Sequence, residues 1–234
     1  MNLSDFREDY RRGDLDRAAL NASPFTQFEQ WFREAIGASS QSRWRKIGIA
    51  LYHLWSAIRN HRPADMNAMT LATVDADGKP STRTVLLKSV DARGFIFFTN
   101  YDSRKGRELA RNPHAALTFF WSALERQVCV AGTVTKLPVT ESEAYFKSRP
   151  RGSQIGAWAS NQSEIVQNRG ILENKWRELE QKFSNEVPLP PNWGGFILNP
   201  ERIEFWQGRP SRLHDRFCYY RQSDGSWKIE RLSP

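Results

Sequence analysis

Apolar residues recur along this chain with two different periods, and the switch between them divides it. From Pro24 to Ile36, Phe25, Phe28, Trp31, Phe32 and Ile36 return at helical spacing, which predicts an amphipathic helix. Residues 42–60 predict a second. Trp44, Ile47, Leu51, Leu54, Trp55 and Ile58 share its apolar face, while Arg43, Arg45, Lys46 and Arg59 supply charge. From residue 68 the period falls to two. Strands are predicted at 68–75, 81–90, 94–100, 114–121 and 125–137, with the DADGK run at 75–79 as a hairpin turn.

Helical patterns return at 102–113, where Asp102 or Ser103 caps the start and Pro113 closes the end, and at 140–160, broken at Pro150. A longer helix is predicted over about 163–184. The PLPP run at 188–191 is a stiff connector, and strands at 194–208, 211–221 and 226–232 finish the chain. Strands at close spacing, with helices inserted rather than alternating, predict a mainly β fold with helices (α+β), an antiparallel sheet or barrel with helical decoration. No GxGxxG follows a strand and there is no P-loop, which disfavours a doubly wound nucleotide fold. Residues 1–23 are polar and expected to be mobile. Residues 24–234 are expected to form one domain, because a chain of 234 residues buries one good core rather than two.

Hydrophobic residues make up 39% and charged residues 26%, a globular composition rather than a disordered one. The net charge of +8 calls for anionic partners: nucleic acid, lipid or phosphorylated small molecules. Cys129 and Cys218 have no CxxC spacing and read as buried, reduced thiols, so a cytoplasmic location is expected. The charged N-terminus lacks the apolar core of a secretory signal. The longest apolar stretch, near Ile47 to Ile58, falls short of the roughly 20 residues that span a bilayer.

Four cationic clusters offer chemistry. In Arg83-Thr84-Val85-Leu86-Leu87-Lys88, ideal strand alternation sets Arg83 and Lys88 on opposite faces. Lys88 among apolar neighbours needs an anionic partner, unless it snorkels to water. Ser103-Arg104-Lys105 opens a helix, where backbone N–H groups, the helix dipole and two cations converge on a phosphate site; two solvated cations are the alternative. Tyr145, Arg149 and Ser153 fall on one side of a helix that Pro150 interrupts. Phenol, guanidinium and hydroxyl together suit a phosphate ester, although the spacing alone is equally that of unrelated surface residues. Arg212, His214 and Arg216 point the same way in a strand, which needs an anion or an electron-rich ring against it unless it is an exposed edge. Nearby Trp206 packs on a flat ligand or belongs to the core. The four histidines lack metal-ligand spacing, so no metal is expected, and there is no GxSxG nucleophile. Redox chemistry here needs a borrowed cofactor.

The segments RTVLLK (83–88), SRK (103–105), LERQV (124–128), YFKSRPRGSQIGAW (145–158), WGGF (193–196), IEFWQG (203–208) and RLHDRF (212–217) occur in order and resemble the pyridoxine/pyridoxamine 5′-phosphate oxidases. The resemblance runs from about Phe6 to the C-terminus with one interruption. It implies an FMN-binding split β-barrel of antiparallel Greek-key type, in a homodimer with FMN at the subunit interface. It further implies oxidation of pyridoxine and pyridoxamine 5′-phosphates by O2 to pyridoxal 5′-phosphate, with hydrogen peroxide and, from the amine, ammonia as products. By the same resemblance Arg83, Thr84, Val85, Leu86, Leu87, Lys88, Phe98, Thr99, Arg104, Lys105, Gln127, Gln162, Ser163, Trp206 and Arg216 contact FMN. Lys88, Tyr145, Arg149, Ser153, Arg212 and His214 contact the substrate, with Arg212 and His214 as the catalytic pair. Arg7 and Tyr10 match a stretch that folds over the active site, although acidic Glu8 stands where the family commonly has a second basic residue.

The resemblance makes sense of the charge, since two phosphates need binding. The cations sit in phosphate-sized motifs rather than in one stripe interleaved with aromatics, so no nucleic-acid partner is expected. Another split-barrel flavin reductase or FMN-binding protein is the alternative, disfavoured by the intact YFKSRPRGSQ and RLHDR segments. The family pattern has no counterpart for the basic amphipathic helix inserted at about 40–62. That helix packs on the barrel or the dimer partner, binds a membrane surface or an outside protein, or is a gene-model artefact; removing residues 41–62 separates these readings.

Overall fold

The computed structural model describes residues 9–44 and 66–234. The expected lid residue Arg7 and nearly all of the helix expected at 42–60 lie outside them. Among the described residues no helix is long and apolar enough to cross a membrane.

Helix α1 (Pro24–Trp44) starts with proline at its first position and Ser23 Oγ accepting from the Thr26 N–H. It continues well past the Ile36 boundary suggested by its apolar stripe, since no proline interrupts 37–44. Ile36, expected on the buried face, is 43% exposed; Ala35 takes the inward position instead.

The strands are β1 (Ala68–Val74), β2 (Pro80–Leu86), β3 (Ser89–Asp91), β4 (Gly94–Asn100), β5 (His114–Trp121), β6 (Arg126–Lys136), β7 (Trp193–Gln207), β8 (Asp215–Arg221) and β9 (Trp227–Leu232). They form one antiparallel sheet in the order β2-β1-β5-β6-β7-β4-β3, with β8 and β9 added along the second half of β7. The single strand expected over 81–90 is divided. Leu87 N–H bonds to Asn67 O, next to β1, whereas Lys88 N–H bonds to Ile96 O on β4. The chain therefore leaves one end of the sheet and joins the other at this point, which curls the sheet into a split barrel. The curl also needs a bulge at Ala131/Gly132, where a Cβ on Gly132 would sit 2.1 Å from Asn199 O.

The barrel interior is aromatic. Phe28 of α1 lies 5.0 Å from both Phe95 and Phe119, and Trp31 lies 5.2 Å from Phe205, so α1 plugs the barrel. Residues 9–23 lie against this body: Leu15 is buried, its N–H bonds to Asp215, and the N–H groups of Arg11 and Arg12 bond to Glu125. Outside the barrel stand α2 (Arg104–Arg111), α3 (Val139–Ser148), α4 (Arg151–Ala159) and α5 (Arg169–Lys182). The break at Pro150 falls where expected. Helix α5 begins later than 163, because Ser163 has φ +76° and Asn168 supplies the cap, accepting from the Ile171 N–H.

Candidate functional site

A cavity of about 1010 Å³ opens between β2, β4, the start of α2 and the α3–α4 pair. That is the upper end of the range for small-molecule sites. Helix α2 begins immediately after β4, so its N-terminus points at the cavity. Ser103 caps it, donating to Asn100 O (2.7 Å) and accepting from Gly106 N–H (3.3 Å). Only glycine permits this close turn, since a Cβ at position 106 would sit 2.0 Å from Tyr101 O.

Three cations gather there. Lys105 is only 7% exposed, and its ammonium donates to neutral oxygens alone: Gln162 Oε1 (2.7 Å), Thr99 Oγ1 (3.1 Å) and Ser103 Oγ (3.2 Å). Burial, reinforced by the charge of Arg83, pushes it down to about 8 from 10.5. Arg83 reaches in from β2 and Arg104 from α2, and both hold the buried carboxylate of Glu108, at 3.2 and 2.8 Å. Burial alone would raise the Glu108 carboxyl. Hydrogen bonds from Thr73, Ser81 and Arg104, with the charge of Arg83, outweigh it and bring the group to about 2.

On the opposite wall Tyr145 stacks on Phe98 at 3.9 Å. The Arg149 guanidinium lies 4.6 Å from the centre of the Trp193 ring, and burial pushes it below its ordinary value. Its Nη1 is buried without a hydrogen-bond partner among the described residues. A buried, unpaired guanidinium N–H and a buried ammonium with only neutral hydrogen-bond partners fit anionic ligands.

The cavity thus gathers most of the expected residues. From β2 and the break after it come Arg83, Thr84, Val85, Leu86 and Lys88; from β4, Phe98 and Thr99; from α2, Arg104 and Lys105. Tyr145, Arg149 and Ser153 line the other side, and Gln162 and Ser163 the rim. Arg83 and Lys88 face the same cavity, against the simple alternation argument, because the strand breaks between them. The side chain of Leu87 instead packs in the core.

Gln127, Trp206, Arg212, His214, Arg216 and Tyr10 are not in this cavity. They form a second group. Gln127, Trp206 and Arg216 are register neighbours across β6, β7 and β8. Trp206 lies 4.7 Å from His214 and 5.5 Å from Tyr10. Arg212 and His214 do not belong to a strand as expected: β8 starts only at Asp215, and Ser211 and Arg212 have φ +55° and +61°. These left-handed, non-glycine residues interrupt the extended chain before β8. His214 Nδ1 accepts from Arg209 N–H (3.1 Å). Burial, then the charges of Arg212 and Arg216, lower its pKa and favour the uncharged ring.

Several residues at the site carried no expectation. Trp193 lies within the WGGF segment, but nothing in its spacing marks it as a cavity wall. Glu108 was legible in principle, since it stands four residues after Arg104 on the same helix. No group of three or more His, Cys, Asp or Glu that could hold a metal occurs among the described residues.

Comparison with known proteins gives the family and the fold. Residues 59–183 match the family model for pyridoxamine 5′-phosphate oxidase, and residues 193–234 match that for the pyridoxine 5′-phosphate oxidase C-terminal dimerisation region. The chain is 50% identical over 234 residues to a pyridoxine/pyridoxamine 5′-phosphate oxidase of Paraburkholderia phytofirmans, covering 100% of this chain and 99% of that one. It is 53% identical over 233 residues to pyridoxine/pyridoxamine 5′-phosphate oxidase 1 of Ralstonia nicotianae, with the same coverage. Among solved structures, PhzG from Burkholderia lata 383 in complex with tetrahydrophenazine-1-carboxylic acid superposes with a TM-score of 0.75 at 28% identity, covering 93% of this chain and 95% of that one.

Proposed function

The chain belongs to the pyridoxine/pyridoxamine 5′-phosphate oxidase family, and from that premise we propose that it converts pyridoxine and pyridoxamine 5′-phosphates to pyridoxal 5′-phosphate, as a homodimer with FMN. The observation that carries this reading is one cavity with two separate cationic walls, each with an unanswered positive group: the Lys105 ammonium on one and Arg149 Nη1 on the other. Two phosphates in one site, cofactor and substrate, fit that layout. When bound, FMN supplies the hydride acceptor for C4′ of the substrate and passes the electrons to O2, giving hydrogen peroxide.

The chain's own residues bind and orient. Arg83, Arg104, Lys105 and the α2 N-terminus hold the cofactor phosphate. The 84–88 segment, Phe98, Thr99, Gln162 and Ser163 flank the flavin. Lys88, Tyr145, Arg149 and Ser153 hold the substrate phosphate. Gln127, Trp206, Arg212, His214 and Arg216 lie outside the cavity, all but Gln127 within the matched dimerisation region, which supports their reaching it from the second protomer. Over the pyridine ring, Arg212 and His214 position the substrate and Arg212 stabilises developing charge. Tyr10, against Trp206 and His214, supports the lid reading of the N-terminal segment. Hydrolysis releases ammonia from the amine substrate. Free Cys129 and Cys218 support a reducing, cytoplasmic setting.

The purified protein is expected to be yellow, and pyridoxamine 5′-phosphate is expected to bleach it in the absence of air. A colourless protein that takes up no FMN overturns the reading.

A further inference from the structure

Beside the three cations of the cofactor phosphate site sits a carboxylate, which taken alone should repel a phosphate. Glu108 is 5% exposed, and it bonds to Ser81, Arg83 and Arg104 of the cavity wall and to Thr73 behind them. Oε1 accepts from Arg104 Nε (2.8 Å) and Ser81 Oγ (3.0 Å). Oε2 accepts from Thr73 Oγ1 (2.5 Å), Ser81 Oγ (2.7 Å) and Arg83 Nη2 (3.2 Å). One side chain on α2 thus ties together β1, β2 and both arginines.

The contacts select which arginine atoms are used. Arg104 gives Glu108 its Nε, and its two terminal NH2 groups make no hydrogen bond among the described residues. Arg83 is held along its other edge by Leu71 O and Thr73 Oγ1. Three cations against one carboxylate leave two positive charges, the match for a phosphate monoester, which carries about −1.5 to −2 at pH 7.

We propose that Glu108 is a positioning residue: it fixes Arg83 and Arg104 in the geometry that receives the cofactor phosphate, and so sets the preference for FMN over its phosphate-free form, riboflavin. Without it two long, flexible side chains that repel one another must be ordered at the moment of binding, which weakens binding. This inference rests on the reading that the cavity takes FMN.

The test measures the dissociation constants of FMN and riboflavin on flavin-stripped protein, by quenching of flavin fluorescence, for the wild type, Glu108→Gln and Glu108→Ala. Loss of hydrogen bonds to charged groups predicts that FMN affinity falls about tenfold or more while riboflavin affinity stays within about twofold. Thr73→Val, which preserves shape and removes one support of the carboxylate, is expected to shift the ratio the same way by less. It decides the matter if the Glu108 variants do not fold. A merely structural role lowers both affinities together, and a merely repulsive carboxylate raises FMN affinity on removal; either result, or an unchanged ratio, overturns the proposal. Wild-type protein that shows no preference for FMN overturns the cofactor reading and this one with it. A wild-type preference that the variants keep overturns only the role of Glu108.

Discussion

Lys105 gives the sharpest test of the phosphate site, because its ammonium is buried against neutral oxygens and its pKa is about 8 rather than 10.5. A shift of that size corresponds to about 3 kcal/mol against the charged form in the empty protein. Between pH 8 and 10.5 the unfolded chain still holds a proton that the folded chain has released, so the contribution of this group to stability rises with pH across that window. Binding behaves oppositely. The phosphate remains a dianion above its second pKa of about 6, and it requires the ammonium. From pH 7 to pH 9 the protonated fraction of Lys105 falls about tenfold, so FMN affinity should weaken about tenfold over that range. Lys105→Met should flatten this pH profile, weaken FMN binding by about 10- to 100-fold through loss of a charge-assisted bond, and raise the melting temperature of the flavin-free protein. Titrations of stripped protein with FMN at pH 7, 8 and 9, with thermal melts alongside, measure all three. A wild-type dissociation constant unchanged from pH 7 to 9, or the same slope in Lys105→Met, refutes the reasoning.

Arg149→Met removes the unpartnered Nη1, so it should raise KM for pyridoxamine 5′-phosphate about tenfold or more with FMN affinity unchanged and no loss in melting temperature; a destabilised protein with normal KM counts against the assignment. Arg212→Ala should lower kcat while FMN binding persists, and full turnover at saturating substrate removes Arg212 from the chemistry. Phe28→Ala, at the centre of the barrel plug, should cost about 3–5 kcal/mol in urea denaturation; a loss below about 1 kcal/mol means that α1 does not stabilise the barrel.

Where local pattern and tertiary geometry coincide, the chain was legible in advance. The Phe25–Trp31 stripe, the alternation through β1 and the stop at Pro150 appear in the structure because each is decided by neighbours a few residues away. The cationic clusters were legible as phosphate-sized groups for the same reason. Their assembly came only from the resemblance, because Arg83 and Arg149 line opposite walls of one cavity through the curl of the sheet. The break at Leu87 and Lys88 shows the limit: residues 81–90 read as one continuous strand, yet the chain changes partner from the end of β1 to β4 between two adjacent N–H groups. Nothing local signals the change, because no glycine or proline marks the break and the cause is closure of a barrel whose ends meet there. The Arg212 loop is a stronger case. Alternation there predicts a strand, and neither Ser211 nor Arg212 is a residue that favours positive φ, yet both adopt it. Such strain, of order 1–3 kcal/mol per residue, persists only where the surroundings over-determine it. Here it keeps Arg212 and His214 out of the ladder that begins at Asp215. The place where local preference failed is the place where the catalytic pair was expected, and functional sites are where such local rules are most often broken.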